Sequence, residues 1–144
     1  MSNDPTPPLE PWSREFDLAS TRSEIAAAVG QVLDACEQHG YEEAATFAIR
    51  LSLEEALANA MMHGNAGDDS KRIHLSCRVD HQRIAMTIQD EGPGYDPETV
   101  PDPTAEENLT IASGRGLALI KAFMTHVEIP QPGNRLELIF EKVV

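Results

Sequence analysis

The chain has 144 residues, the size of one domain with a sizeable hydrophobic core, and it carries 24 acidic against 11 basic residues, a net charge of −13. Such a surface repels nucleic acid, which argues against a direct DNA or RNA binder. No apolar run approaches the roughly 20 residues of a membrane span, and the N-terminus lacks the basic and apolar regions of a secretory signal, so we expect a cytoplasmic protein. Cys36 and Cys77 lie in apolar segments and are expected to be buried thiols in preference to a disulfide.

The first predicted elements are a tail, a strand and a helix. Residues 1–11 contain four prolines and predict a flexible tail ahead of a single domain over 12–144. A short strand is expected at Arg14–Leu18. Ser20 or Thr21 then offers an N-cap, with Glu24 placed to complete a capping box, for a helix that ends at Gly40.

The later elements alternate between helices and strand pairs. A second helix is predicted over 42–62, followed by an antiparallel strand pair over 73–79 and 84–88. The next stretch, 91–113, contains four prolines and is long enough for a functional loop, so we expect a lid. A third helix from Gly116 to about Thr125 and two strands over 127–129 and 136–140 complete the chain. The predicted fold is α+β, a two-layer sandwich whose mixed, mostly antiparallel sheet is covered on one face by three helices.

The second helix carries a polar stripe on a face that also holds apolar residues. At about 100° per residue, Ser52, Glu55, Asn59 and His63 lie on one side. Apolar residues flank that stripe: Phe47, Leu51, Ala58 and Met62 on one side, and Ile49, Leu53, Ala56 and Ala60 on the other. The stripe is therefore expected to face inward, whereas Glu54 faces water and pairs with Arg50.

Two interpretations of the inward stripe remain open. It could be a satisfied buried hydrogen-bond network, or a site where Asn59 offers an oxygen to a hard cation and Glu55 acts as a general base. His63 could contact a phosphate, or it could have a structural role.

A carboxylate and two glycines follow the predicted strand at 84–88. Asp90 continues the inward face of that strand by period two and is placed to accept hydrogen bonds from an exocyclic amine. The alternative is an aspartate that only forms the turn. Gly92 and Gly94 would let the backbone approach a ligand closely.

The start of the third helix is a candidate anion site. Ser113, Gly114, Arg115 and Gly116 open the helix, where free N–H groups and the positive dipole end favour a phosphate, and Arg115 would add charge. The alternative is that Ser113 is a simple cap and the two glycines are lid hinges.

In combination, the three segments resemble a known ATPase superfamily. They read Glu55-Ala-Leu-Ala-Asn59-Ala-Met-Met-His63-Gly64, Asp90-Glu-Gly92-Pro-Gly94 and Ser113-Gly114-Arg-Gly116-Leu-Ala-Leu-Ile. This order resembles the Bergerat-type ATP-binding domain shared by gyrase, Hsp90, histidine kinases and MutL. The similarity is greatest to the anti-sigma factor serine/threonine kinases of bacterial stress-response and sporulation switches, and it spans roughly residues 12–142.

The resemblance implies a role for each matching residue. Glu55 matches the catalytic base and Asn59 the ligand of the Mg²⁺ that bridges the ATP phosphates. Asp90 matches the adenine-binding carboxylate. The remaining matches line the nucleotide site, namely His63, Gly92, Gly94, Ser113, Gly114, Arg115, Gly116 and Leu117.

The resemblance also implies partners. These are a small anti-sigma-antagonist protein of the sulfate-transporter/antagonist fold as substrate, a sigma factor that is sequestered, and a second copy in a homodimer. No direct contact with nucleic acid or membrane is implied. Two further functions stay open: an ATP-binding module that holds its partner without phosphotransfer, and the ATPase domain of a histidine kinase.

The chain departs from the family pattern at two places. Many relatives carry hydroxyl residues near the adenine just before the last strand, where this chain has Gly133-Asn134-Arg135. The sporulation-type kinases tend to have a basic residue where Ala112 stands, and Arg115 is a possible replacement.

Overall fold

The structure is a computed structural model that describes residues 10–93, 115–130 and 133–142. The elements in chain order are β1 (Trp12–Ala19), α1 (Arg22–Gln38), α2 (Glu43–Asn59), a π-helical turn (Ala60–Gly64), β2 (Arg72–Val79), β3 (Arg83–Gln89), α3 (Arg115–Phe123), β4 (His126–Glu128) and β5 (Arg135–Glu141). Helices and strands thus follow the predicted order, with β1 longer at both ends than expected.

The five strands form one sheet in the order β1-β2-β3-β5-β4. Phe16 pairs with Leu75 between β1 and β2, and Ile88 pairs with Leu136 between β3 and β5. All four pairings between the described strands are antiparallel. The predicted α+β sandwich is confirmed, and the parallel pair that a mixed sheet would contain is not found among these strands.

The two faces of the sheet differ in chemistry because side chains alternate along each strand. One face carries the buried residues of β2 and packs with the helices into the hydrophobic core, for example Ile73, Leu75, Cys77 and Val79. The other face carries exposed charge pairs, such as Arg72 with Asp17 across β1 and β2. Cys36 and Cys77 are both buried free thiols, as predicted.

Helix α1 begins and ends near the predicted residues. Thr21 is the N-cap, and its hydroxyl accepts a hydrogen bond from the Glu24 N–H at 3.4 Å. The Glu24 carboxylate reaches back to the N–H of Ala19 instead of that of Thr21, so the predicted capping box is displaced by two residues. Gly40 follows the helix with φ +82°, a left-handed conformation that favours glycine.

Helix α2 ends earlier than predicted. The α-helical bonds stop at Asn59, and the chain continues through a π-helical turn that the Asn65 N–H closes on the Ala60 carbonyl at 2.8 Å. A π-helical turn holds more residues than an α-helical one, so residues after Asn59 no longer project on the same side of the helix as Glu55 and Asn59. His63 is therefore exposed, and its predicted inward position is wrong.

The predicted apolar flank of α2 is also partly wrong. Phe47 is 56% exposed and Met62 is 50% exposed. Phe47 contacts the ring of Phe123 in α3 edge to face, with ring centroids 6.2 Å apart. Helix α2 lies between α1 and α3, and the edge-to-face contact with Phe123 leaves more than half of the Phe47 side chain exposed.

No helix within the described ranges is long and apolar enough to cross a membrane.

Candidate functional site

The first half of the site lies where α2 meets the beginning of α3. Glu55 and Asn59 are partly buried, and both face Gly116. A Cβ atom placed on Gly116 would stand 3.0 Å from Glu55 Oε2 and 2.9 Å from Asn59 Nδ2. Only glycine fits there without a shift, so the backbone of α3 comes directly against the carboxylate and the amide.

Glu54 and Glu55 are adjacent in sequence but lie in different environments. Glu54 is exposed and its carboxylate stands 4.0 Å from Arg50 Nε, in the predicted i,i+4 pair. Glu55 faces the interior, as the helical phase predicts. Ser52, one turn before Glu55, is completely buried, and its hydroxyl is the one buried side-chain polar atom in the described residues that lacks a hydrogen bond.

The second half of the site lies where β3 ends beside the π-helical turn. The Gly92 N–H donates to Asp90 Oδ1 at 2.7 Å, so Asp90 also forms the turn that was the alternative interpretation. A Cβ on Gly64 would overlap the Asp90 carboxylate, and one on Gly92 would overlap the Gly64 carbonyl oxygen. Two glycines thus let the end of β3 pack against the end of α2.

Burial makes the ionised form of the Asp90 carboxyl group more costly than it is in water. Burial raises the pKa of Asp90 above its ordinary value, whereas the hydrogen bond from Gly92 and the charge of Lys71 oppose this shift without cancelling it. A carboxylate held in such a place is a functional-site candidate, because the fold accepts a cost to keep it there.

Sequence reasoning missed Asn65, which holds the second half together. Asn65 is fully buried; its amide group donates to Ser20 Oγ at 2.9 Å and to the Arg72 carbonyl at 3.0 Å, and its Oδ1 accepts from the Glu91 N–H at 2.8 Å. One side chain therefore joins the turn after α2 to the residue that follows β1, to the start of β2 and to the loop after β3. Its position directly after the His63-Gly64 pair was the available signal.

Asn134 also belongs to the second half. The Asp90 N–H donates to the Asn134 carbonyl at 3.0 Å, and Asn134 Nδ2 donates to the Gly92 carbonyl at 3.2 Å. Arg135 does not belong to it, because its guanidinium pairs with Glu137 on the exposed face of the sheet.

The remaining predicted residues are distributed as follows. Leu117 is buried in α3, and His63 lies exposed at the end of the π-helical turn. Arg115 is the first residue of α3. Most of the predicted lid, from residue 94 on, lies outside the described residues, as do Gly94, Ser113 and Gly114.

The oxygen atoms at the site suit Mg²⁺ only in combination with a phosphate ligand. Within 10–93, 115–130 and 133–142, no group of three or more His, Cys, Asp or Glu residues could hold a metal ion. Mg²⁺ in nucleotide sites typically uses one or two protein oxygens together with phosphate oxygens and waters. Asn59 beside the Gly116 backbone fits that arrangement.

Comparisons with known proteins agree with this geometry. The model of the family described as histidine kinase-like ATPase domain matches residues 18–140. A protein named anti-sigma F factor from Oceanobacillus iheyensis is 31% identical over 92 residues, which cover 60% of this chain and 62% of that protein. The anti-sigma F factor from Clostridium perfringens strain SM101 is 29% identical over 90 residues, covering 60% and 64% of the two chains.

A solved structure shows the same fold. It contains the RsbU and RsbW domains of Rv1364c from Mycobacterium tuberculosis, and it matches 94% of this chain and 32% of that chain with a TM-score of 0.59 and 18% identity. Together, the family match, the curated relatives and this structure confirm the ATPase superfamily that the sequence motifs indicate. The chain belongs to the histidine kinase-like ATPase domain family.

Proposed function

We propose that the chain is an ATP-dependent protein serine/threonine kinase of the anti-sigma type. The observation that carries this proposal is the meeting of Glu55 and Asn59 at the backbone of Gly116, one π-helical turn away from the Asp90 carboxylate. One end of α2 is thus lined by a base for the attacking hydroxyl, a cation ligand for the triphosphate and a carboxylate for the adenine amine.

Each residue has a defined task in this proposal. The Glu55 carboxylate accepts the proton of the attacking serine or threonine hydroxyl, and the Asn59 side-chain oxygen holds Mg²⁺. The ion, when bound, neutralises charge on the ATP phosphates. Asp90 accepts a hydrogen bond from the adenine amine, and the N-terminal end of α3 presents backbone N–H groups toward the phosphates. Phosphoryl transfer depends mainly on positioning and charge stabilisation, which these groups supply.

The proposed substrate and partners follow the relatives named anti-sigma F factor. The chain spans somewhat less than two thirds of those proteins. We assign it a small antagonist protein as phosphoacceptor and a sigma factor as the sequestered partner, with the chain acting in the cytoplasm as a homodimer built from one domain over 12–144.

Phosphotransfer from γ-labelled ATP to the antagonist tests the proposal. Glu55→Gln keeps the size of the side chain but removes the base, so transfer should fall by roughly 10²–10⁴-fold while ATP affinity stays within about twofold. Glu54→Gln is the matched control, because Glu54 lies one residue away on the exposed face, and it should retain full activity.

Three results would redirect the proposal. Nucleotide binding without transfer by the wild-type protein would favour the ATP-binding module, and acid-labile label on histidine would favour a histidine kinase. Damage by Glu54→Gln, with Glu55→Gln harmless, would show that the wrong carboxylate has been assigned.

A further inference from the structure

Asn134, the residue directly before β5, lies beside Asp90. Ile88 pairs with Leu136 and Gln89 with Arg135, so Asp90 and Asn134 are the next pair across β3 and β5. Since side chains alternate along a strand, Asp90 falls on the same side as Ile88, and Asn134 on the same side as the buried Leu138. The two side chains are therefore cross-strand neighbours on the face that the helices cover.

The hydrogen bonds around this pair fix which end of the Asn134 amide points where. The Gly92 carbonyl oxygen can only accept, so the amide group 3.2 Å from it must be the NH₂ end of Asn134. Asn134 Oδ1 is then the free end, and it accepts no hydrogen bond from the described residues. Asp90 Oδ1 accepts from the Gly92 N–H, whereas Oδ2, which lies against Gly64, accepts no hydrogen bond from the described residues and is the second acceptor.

Two adjacent acceptors match one feature of a purine base. The exocyclic amine of adenine carries two hydrogens, whereas guanine has an acceptor oxygen at the same place. We propose that Asn134 is a base-specificity residue, whose Oδ1 accepts one hydrogen of the adenine 6-amine while Asp90 Oδ2 accepts the other. This inference rests on the proposed nucleotide site and assigns a task to a residue that differs from the hydroxyl side chains expected at this position.

Calorimetric titration with ATP and with N⁶-methyl-ATP tests the proposal. In the wild-type protein the methyl group replaces one of the two donated hydrogens, so N⁶-methyl-ATP should bind about tenfold more weakly than ATP. In Asn134→Ala the acceptor is gone and the space is open, so ATP should bind about fivefold more weakly than to wild type, and the added penalty for the methyl group should fall to twofold or less.

Arg135→Ala is the control for changes near the start of β5, because the Arg135 side chain lies on the opposite face of the sheet. It should keep the wild-type affinity and the full methyl penalty. Should Asn134→Ala unfold, Asn134→Ser provides a second variant. Its side chain is too short to reach the adenine 6-amine, so the same reduced penalty for the methyl group is expected.

An unchanged methyl penalty in a folded Asn134 variant would overturn the proposal, since Asn134 would then act only on the shape of the loop. Failure of the wild-type protein to bind ATP would instead remove the proposed function, so the two failures are distinguishable.

Discussion

The two halves of the site are built in different ways. Around Asp90, polar groups are fixed by a network of hydrogen bonds that includes Gly92, Asn134 and Asn65. Around Glu55, the arrangement depends on the close approach of two helices at Gly116. The half assigned to the adenine base is thus preorganised by hydrogen bonds, whereas the half assigned to phosphotransfer is set by helix packing and is sensitive to small displacements of α3.

The largest effect on this comparison is expected from Gly116→Ala. The added Cβ would stand 2.9 Å from Asn59 Nδ2 and 3.0 Å from Glu55 Oε2, so α3 or both side chains must move. The two side-chain ends must give way by some tenths of an ångström, and since a displacement on the order of 1 Å can cost about 100-fold in rate, phosphotransfer should fall by roughly 10- to 100-fold. Labelled ATP with the antagonist provides the measurement.

Gly30→Ala is the matched control for that substitution. Gly30 lies in α1 with nothing within 4 Å of the added Cβ, so the change should stabilise the protein by roughly 0.5–1 kcal/mol and leave phosphotransfer unchanged. Equal activity of the two variants would show that the contact at Gly116 has no part in catalysis.

The half around Asp90 should instead lose folding stability when its hydrogen-bond network is cut, and Asn65→Ala tests this. The substitution removes the buried hydrogen bond to Ser20 Oγ and leaves the Glu91 N–H and the Arg72 carbonyl, both partly buried, without their partner. Loss of about 3 kcal/mol in the free energy of unfolding is expected, measured by urea denaturation. Loss of less than about 0.5 kcal/mol would mean that the network around Asn65 does not hold this half together.

Asp90→Asn should change ATP affinity and folding stability in opposite directions. Asparagine keeps the acceptor for Gly92 but presents a donor to the adenine amine, so ATP affinity should drop at least tenfold. Folding stability should change in the opposite direction at neutral pH, because burial raises the pKa of Asp90 and the ionised carboxylate is costly in the folded state.

The pH dependence of that variant follows from the sign of the shift. Since the folded pKa is raised, the contribution of Asp90 to stability is complete below the unfolded pKa of 3.8 and is lost as pH rises through the folded pKa. Asp90→Asn should therefore equal wild type near pH 3.5 and exceed it at pH 7 in thermal unfolding. A variant less stable than wild type at pH 7 would contradict this account of the carboxylate.

The smallest effect concerns the two buried thiols, which report on the fold as a whole. Burial raises the pKa of Cys36 to about 12 and also raises that of Cys77. Both thiols should resist alkylation at pH 8 in the folded protein and react in urea. Rapid labelling of the folded wild-type protein would contradict this, because it would indicate that the packing around α1 and β2 opens easily. The Asn65→Ala variant is expected to be labelled faster than wild type.

The features that the sequence predicts are mainly local ones. The phase of α2 separates Glu54 from Glu55, and the period of β3 places Asp90 on the inner face, because helical and strand periods repeat within a few residues. The meeting of these elements is not local. The overlap of Gly64 with Asp90 and the contact of Gly116 with Glu55 depend on how separate segments pack, and here the family resemblance supplied the expectation.

Two errors on α2 have clear physical causes. The π-helical turn shifts His63 out of the polar stripe, and no periodicity within the helix itself indicates where the bonding pattern changes. Phe47 is apolar but exposed, because it contacts Phe123 of α3 at the surface and that ring covers only part of it. An apolar side chain alone does not imply burial.

The most direct measurement of the central claim is calorimetric titration of the folded full chain with ATP, with Mg²⁺ present and with Mg²⁺ removed by EDTA. The account predicts saturable binding of one ATP per chain that weakens by tenfold or more without Mg²⁺, and Asn59→Ala should show the weaker affinity even when Mg²⁺ is present. Absence of any heat of ATP binding by the folded wild-type chain in Mg²⁺ would contradict it.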